Sequence, residues 1–186
     1  MKLNRIFAAT SALALTTSVA LAGMDNPMVG GAPMFADKTI VENAVNSADH
    51  ETLVAAVKAA GLVETLSGEG PFTVFAPTDA AFGMLRDGAV EELLEPAAKK
   101  QLTEILTCHV VGADAMAQAI KGMIDDDGGM HIVPTLGGCE LKATYSGDRI
   151  MLEDERGRTI NVTIADVKQS NGVIHVVDRV ILPPRP

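Results

Sequence analysis

The spacing of apolar residues changes near residue 107, and this change constrains the fold more than any other feature of the sequence. Before it, apolar residues recur at helical spacing, as Leu53, Val54 and Val57 do. After it, apolar and polar residues alternate, which is typical of β-strands. A helix-rich first half and a strand-rich second half predict an α+β fold, because a parallel doubly wound sheet requires regular alternation of strands and helices. The strands predicted after residue 107 cover 109–111, 130–135, 140–145, 149–153, 159–167 and 173–182.

Asn171 and Gly172 lie between the last two predicted strands. Asn-Gly is the strongest short signal for a β-hairpin, because both central residues of a type I′ turn need positive φ. We therefore expect the strands 159–167 and 173–182 to pair antiparallel.

The first 22 residues have the features of a secretory signal peptide. Lys2 and Arg5 precede an uncharged run over 6–22 that ends in the small-residue pattern Ala-Leu-Ala. The run contains several Thr and Ser residues and is shorter than the ~20 predominantly apolar residues that a membrane span prefers. We expect cleavage after Ala22, no stable membrane insertion of the mature chain, and a location in the periplasm or outside the cell. The alternative is a retained N-terminal anchor helix.

Residues 23–36 contain several glycines and prolines and show neither helical nor strand periodicity. They predict a flexible lead-in, followed by one folded domain over 37–183. Thr39 and Glu42 have the spacing of a capping box, so the first helix of this domain is predicted at 40–45.

The charge balance excludes several function classes. The chain has 15 Lys and Arg against 24 Asp and Glu, a formal net charge of −9, and loss of Lys2 and Arg5 would change it to −11. This charge would repel the phosphates of nucleic acids and of anionic lipids at long range. Aromatic residues make up 3% of the chain and Trp is absent, which leaves few side chains for base stacking. We therefore expect no nucleic acid among its partners.

Three segments resemble the fasciclin (FAS1) domain family. FTVFAPTDAAF over 72–82 looks like the first signature box of the family, and NGVIHVVDRVILP over 171–183 looks like the second. LTCHVV over 106–111 resembles the Tyr-His segment between them, with Cys108 where Tyr is usual. The three segments occur in the family's order and at roughly its spacing. The family-motif residues, for which we expect structural roles, are Phe72, Thr73, Phe75, Pro77, Thr78, Asp79, His109, Asn171, Gly172, His175 and Asp178.

The resemblance implies a FAS1-like wedge or sandwich of about seven β-strands flanked by several α-helices. It also implies an exported, non-catalytic module for cell adhesion or surface interaction, whose partner is a protein or a component of the cell envelope or matrix. We expect no cofactor and no catalytic residue, because the sequence has no Gly-rich phosphate loop, nucleophile elbow or HExxH helix.

The residues of the two boxes also have a physical interpretation of their own. A buried strand over 71–75 is followed by Pro77, after which Thr78 or Asp79 can cap the next helix. In the second box both faces of the predicted strand carry apolar residues, so this strand should be central and buried on both sides. His175 is then expected to be a hydrogen-bonded core residue rather than a ligand, and the same holds for His109.

Cys108 and Cys139 are the only two cysteines. In an oxidising compartment they can form a disulfide that closes a loop of about 30 residues. The alternative is two separate buried thiols that pack as small hydrophobic groups. Cys108 next to His109 also suggests a nucleophile and its base, but neighbours on one strand point to opposite faces, so we expect no catalysis by this pair.

Asp125, Asp126 and Asp127 precede two glycines and resemble a calcium loop only in part. Gly129 stands where another acidic ligand is needed, and no bidentate Glu closes the loop. A solvated hairpin tip is expected instead, and these three carboxylates are the candidate partner-facing group, together with the segments 83–95 and 113–129.

The alternative function is a periplasmic ligand-, metal- or redox-sensing domain that uses Cys108, Cys139 and the histidines. The four histidines are far apart in the sequence and have no paired metal-ligand spacing, so no metal site is predicted.

Overall fold

The change of periodicity near residue 107 is visible in the order of the elements. A computed structural model describes residues 26–185, and these residues form the predicted α+β arrangement. The helices are α1 (Ile40–Ala44), α2 (Glu51–Ala60), α3 (Val63–Ser67), α4 (Asp79–Gly83), α5 (Ala89–Leu94), a 3-10 turn (Pro96–Ala98), α6 (Lys99–Thr107) and α7 (Ala117–Asp126). The strands are β1 (Met28–Val29), β2 (Ala32–Pro33), β3 (Phe72–Pro77), β4 (Val110–Val111), β5 (His131–Pro134), β6 (Glu140–Ser146), β7 (Arg149–Glu153), β8 (Thr159–Gln169) and β9 (Gly172–Val177).

The main sheet has seven strands in the order β4-β3-β9-β8-β7-β6-β5. Strands β3 and β9 are parallel, and their register runs without interruption from Phe72 opposite Gly172 to Pro77 opposite Val177. The other neighbouring strands of this sheet are antiparallel. The two segments that resemble the signature boxes are therefore adjacent strands inside the sheet.

Apolar side chains pack on both faces of β9. Ile174 and Val176 belong to the cluster that contains Leu53 of α2 and Leu106 of α6. Val177 belongs to a second cluster, built from β6, β7 and α7. All of these side chains are buried, and burial of each large aliphatic side chain contributes roughly 1.5–3 kcal/mol to stability. The strand is central and buried on both faces, as its sequence predicts.

Strand β8 joins the two halves of the sheet. Its pairing with β9 shifts register between Val162 and Ile164 and again between Ile164 and Val167. Such bulges bend a strand and increase its twist, which lets β8 pair with β9 at one end and with β7 at the other. Within residues 26–185, Asp166 in this irregular stretch is the one non-glycine residue with positive φ, at 60°.

The expected flexible lead-in is wrong for residues 26–36. This segment forms the antiparallel pair β1 and β2, and it buries Val29 and Met34, which are 4% and 2% exposed. Gly30 and Gly31 form the two-residue turn between the strands, with φ of 57° and 75°. Gly-Gly is a hairpin signal, but the apolar runs beside it are too short to show alternation. Residues 1–25, with the predicted signal peptide, lie outside the described residues.

The antiparallel pairing of the last two strands is confirmed, but their turn differs from the expected one. Gln169 pairs with Gly172, so the loop residues are Ser170 and Asn171, and Asn171 does not have the positive φ of a type I′ turn. Strand β9 also ends at Val177 rather than at residue 182. No helix within residues 26–185 has the length and apolar character that a membrane crossing requires.

Candidate functional site: the signature segments and the outer surface

Thr73, on β3, holds the loop that leads from β4 to α7. Its hydroxyl donates to the carbonyl oxygen of Ala113 at 2.6 Å and accepts from the amide of Ala115 at 2.8 Å. The side chain is buried, so both hydrogen-bonding functions of the hydroxyl are used inside the fold.

His175, on the neighbouring strand β9, holds the same loop. Its Nε2 donates to the carbonyl oxygen of Ala115 at 2.8 Å, and its Nδ1 accepts from the amide of Asp166 at 3.2 Å. The carboxylate of Asp166 in turn accepts from the amide of Ala117 at 2.7 Å, at the start of α7. The imidazole stacks on Phe75 with 5.7 Å between ring centres, and burial lowers the pKa of His175 below its usual value. The ring is a neutral structural group that fixes the N-terminal end of α7.

His109 joins helix α6 to the C-terminal segment. Its Nδ1 donates to the carbonyl oxygen of Ile105 at 2.8 Å, and its Nε2 accepts from the amide of Ile181 at 2.9 Å. Burial lowers the pKa of His109 to about 4, so the ring is neutral at pH 7. Both ring nitrogens have backbone partners, as a structural core histidine requires.

Asn171 uses its side chain to tie three segments together. Its Oδ1 accepts from the amide of Ile40 at 3.0 Å, at the start of α1. Its Nδ2 donates to the carbonyl oxygens of Leu66 and Gly68, at 2.8 and 3.0 Å, at the end of α3. An Asn is therefore needed here for its amide group, and not for its tolerance of positive φ.

The sequence left open whether Thr78 or Asp79 caps the helix after β3, and the structure divides two tasks between them. The hydroxyl of Thr78 accepts from the amide of Ala81 at 3.2 Å and caps α4. The carboxylate of Asp79 accepts from the amides of Thr52 and Glu51, at 2.8 and 3.3 Å, and so caps α2 from outside that helix.

Asp178 follows β9 and binds its neighbour strand. One carboxylate oxygen accepts from the amide of Asn161 at 2.8 Å, and the other accepts from the Asn161 side chain at 2.7 Å. Asp178 therefore continues the contact between β9 and β8 beyond the last ladder pair.

Cys108 and Cys139 are joined by a disulfide, with 5.3 Å between their Cα atoms. Both residues are buried, at 0% and 3% exposure. Cys108 is the C-cap of α6 rather than part of a strand, and the predicted strand at 109–111 is shortened to Val110–Val111. With its sulfur in a disulfide, Cys108 is not the nucleophile partner of His109.

The expected hairpin tip at 125–127 is instead the end of α7. Asp125 and Asp126 are the last residues of the helix and Asp127 is its C-cap, and all three are exposed. Negative charge at a helix C-terminus opposes the helix dipole. Two of the three carboxylates have partners: Asp125 accepts from the hydroxyl of Tyr145, and Asp127 contacts Nδ1 of His131, each at 2.6 Å. The hydrogen bond to Asp125 raises the pKa of Tyr145.

The structure therefore brings the two boxes together as paired strands, and their polar side chains bind backbone groups of the fold. The four histidines contact different segments, and residues 26–185 contain no group of three or more His, Cys, Asp or Glu side chains placed to hold a metal ion. Sequence reasoning missed Asp166, because its role as the partner of Ala117 depends on a contact 49 residues away.

Comparisons with known proteins agree with these observations. The family model of the Fasciclin domain matches residues 48–183. The chain is 43% identical over 176 residues to Protein sll1483 of Synechocystis sp., across 90% of this chain and 88% of that protein. It is 32% identical over 123 residues to the cell surface glycolipoprotein MPB83 of Mycobacterium bovis, across 66% of this chain and 48% of that protein.

Among solved structures, the FAS1 domain pair of the insect cell adhesion molecule fasciclin I has a similar fold. The TM-score is 0.70 at 20% sequence identity, over 78% of this chain and 51% of that chain. The chain thus spans about half the length of the MPB83 protein and of the fasciclin I pair.

Proposed function

The chain belongs to the fasciclin domain family, and from this premise we propose that it is an exported, non-catalytic module for cell adhesion or surface interaction. Its relatives support this proposal: MPB83 is a cell surface glycolipoprotein, and the structurally similar fasciclin I is a cell adhesion molecule. We further propose that residues 1–22 direct export and are removed, and that the partner is a protein or a component of the cell envelope or matrix.

One observation supports the proposal most strongly: the polar side chains of the two signature segments form their hydrogen bonds within the fold. Thr73 and His175 hold the loop before α7, and Asn171 holds the ends of α1 and α3. Side chains whose donors and acceptors are already hydrogen-bonded inside the protein stabilise the fold and have few groups left to bind a partner. Contact with a partner then belongs to the outer surface.

We propose that the exposed end of α7 is part of the contact surface. Its start is fixed by Asp166 and by the loop that Thr73 and His175 hold, while its end presents the three carboxylates of Asp125, Asp126 and Asp127. A rigidly mounted group of like charges suits a basic surface, which it would attract at long range and orient on contact.

Attachment of the purified, labelled protein to the cell envelope fraction of the source cells tests this function. We expect saturable attachment that weakens with salt, because exposed charges are screened. The variant D125N/D126N/D127N should attach less although it remains folded at the temperature of the assay. The matched control E69Q/E140Q/E155Q, which removes three exposed carboxylates elsewhere, should attach like the wild type.

Two results would count against the proposal. If the wild type attaches no better than an unrelated acidic protein, adhesion is contradicted. If both triple variants attach equally well, the contact surface is not the end of α7.

A further inference from the structure

A cleft of about 490 Å³ lies between the helices α5 and α6 and the C-terminal segment. Part of its wall is aliphatic, with Leu85, Leu93 and Leu182 half-buried and Met84 64% exposed. Arg156 and Arg158 line the same cleft. We propose that it binds an amphiphilic monoanion, a medium-chain aliphatic carboxylate whose head group lies at Arg156 and whose chain lies along the leucines.

The arginines of the cleft differ in whether a carboxylate neutralises their charge. Arg158 donates from Nε and Nη2 to the buried carboxylate of Asp154, at 3.0 and 2.5 Å, and Arg86 is paired with Glu92. Arg156 donates from Nε to the carbonyl oxygen of Pro183 at 2.7 Å. Among residues 26–185, no carboxylate forms an ion pair with Arg156.

The bond from Nε fixes the guanidinium of Arg156 and leaves its terminal nitrogens for another acceptor. A carboxylate can accept two parallel hydrogen bonds from such a group, which is stronger and more directional than a contact with an ammonium ion. Burial lowers the pKa of Arg156, and the nearby charges of Arg158 and Arg185 lower it further. The cleft is therefore locally positive on a chain whose net charge is −9, and an anion there would relieve the repulsion between these arginines.

Size and polarity select the rest of the ligand. The volume of the cleft lies within the roughly 300–1,000 Å³ of small-molecule sites. Arg86, Glu92 and Gln101 form the polar part of its lining. An alkyl chain on Leu85, Leu93 and Leu182 would remove apolar surface from water. This inference does not depend on the adhesion function proposed above.

Calorimetric titration of the purified protein with decanoate, below its micellar concentration, tests the site. Wild-type protein should bind decanoate at one site, and acetate, which lacks the chain, should not bind measurably. Decylamine, which has the chain but the opposite charge, should also not bind. R156Q should weaken decanoate binding at least tenfold, whereas R149Q, which removes an exposed arginine on β7, should leave it unchanged.

Chemical-shift mapping on the wild type keeps the test valid if R156Q folds poorly. Decanoate should shift the amide signals of Leu93, Arg156 and Leu182, and leave those of the β5 and β6 strands unchanged. The inference is overturned if decanoate does not bind, if R156Q binds it as tightly as the wild type, if decylamine binds equally well, or if the shifts fall outside the cleft.

Discussion

Gly172 lies directly against the backbone of Phe72, at the position where the parallel strands β3 and β9 begin. A Cβ atom on Gly172 would lie 1.9 Å from the carbonyl oxygen of Phe72, and the φ of Gly172 is 155°, a value that L-residues rarely adopt. Only glycine lets the two signature strands approach this closely.

The variant G172A should therefore separate the ends of β3 and β9. We expect it to lower the free energy of unfolding by roughly 2–4 kcal/mol, from backbone strain and steric overlap together, as measured by urea denaturation. The control is G83A at the end of α4, where a Cβ would contact nothing within 4 Å, and its effect should stay within about 1 kcal/mol. Equal midpoints for the two variants would contradict the close approach.

Asp79 gives a second test, because it caps α2 through the amides of Thr52 and Glu51. D79A should lower the free energy of unfolding by about 1–2 kcal/mol, the usual cost of a lost N-terminal cap. D126A is the matched control, because Asp126 is an exposed carboxylate at the C-terminal end of α7. Its removal should be neutral or slightly stabilising, since negative charge is unfavourable at that end of a helix. A D79A protein as stable as D126A would show that the cap contributes nothing.

The pair Thr78 and Asp79 also shows how far the sequence could predict this protein. Both residue types mark a helix start, so a cap after β3 was predictable from local chemistry. That Asp79 caps a helix 27 residues earlier in the chain depends on how α2 packs beside α4, which no local pattern contains. The contact of Asp166 with Ala117 is non-local in the same way.

Strands were predictable where apolar and polar residues alternate over several positions. The predicted strand 149–153 coincides with β7, whereas the two-residue strands β1 and β2 offered too few positions to show a period. The end of α7 was predicted to be a hairpin tip for another reason. Its final acidic residues resemble a turn. Their negative charge at a helix C-terminus is unfavourable, and the contacts of Asp125 with Tyr145 and of Asp127 with His131 offset this cost.

The disulfide between Cys108 and Cys139 should be a structural staple. The two residues are 31 positions apart, and closing a loop of this size in the unfolded chain stabilises the fold by about 3–4 kcal/mol. C108A/C139A should show that loss in urea denaturation without reductant. Adding a strong reductant to this variant should change nothing, while the wild type unfolded in urea with the same strong reductant should fall to about the level of the variant.

The same bond separates the adhesion function from the redox-sensing alternative. Both sulfurs are buried, so mild reductant should leave the native disulfide intact, as thiol labelling followed by mass measurement can show. Ready reduction of the native protein, accompanied by a change in envelope attachment, would favour the sensor.

His109 makes stability depend on pH. Its pKa is about 4 in the fold against 6.5 for the free side chain, so the unfolded chain binds a proton that the folded chain excludes. The stabilisation by neutral His109 is fully present above pH 6.5 and is lost as the pH falls from 6.5 towards 4, by up to about 3 kcal/mol. Burial lowers the pKa of His175 as well, which acts in the same direction.

Urea denaturation between pH 7 and pH 4 measures this dependence. H109Q should have a smaller loss of stability over that range than the wild type. An NMR titration of the His109 imidazole reads the same property without a variant. A His109 that titrates near 6.5 would contradict its role as a buried neutral bridge.

In the proposed function, the signature side chains hold the scaffold and partner contact belongs to the outer surface. The most direct measurement compares D178A with the wild type for both melting temperature and envelope attachment, at a temperature where both are folded. D178A loses both hydrogen bonds to Asn161, so we predict a loss of about 1–3 kcal/mol in stability with attachment unchanged. An unchanged melting temperature together with lost attachment would place Asp178 in the binding surface and rule out its structural role.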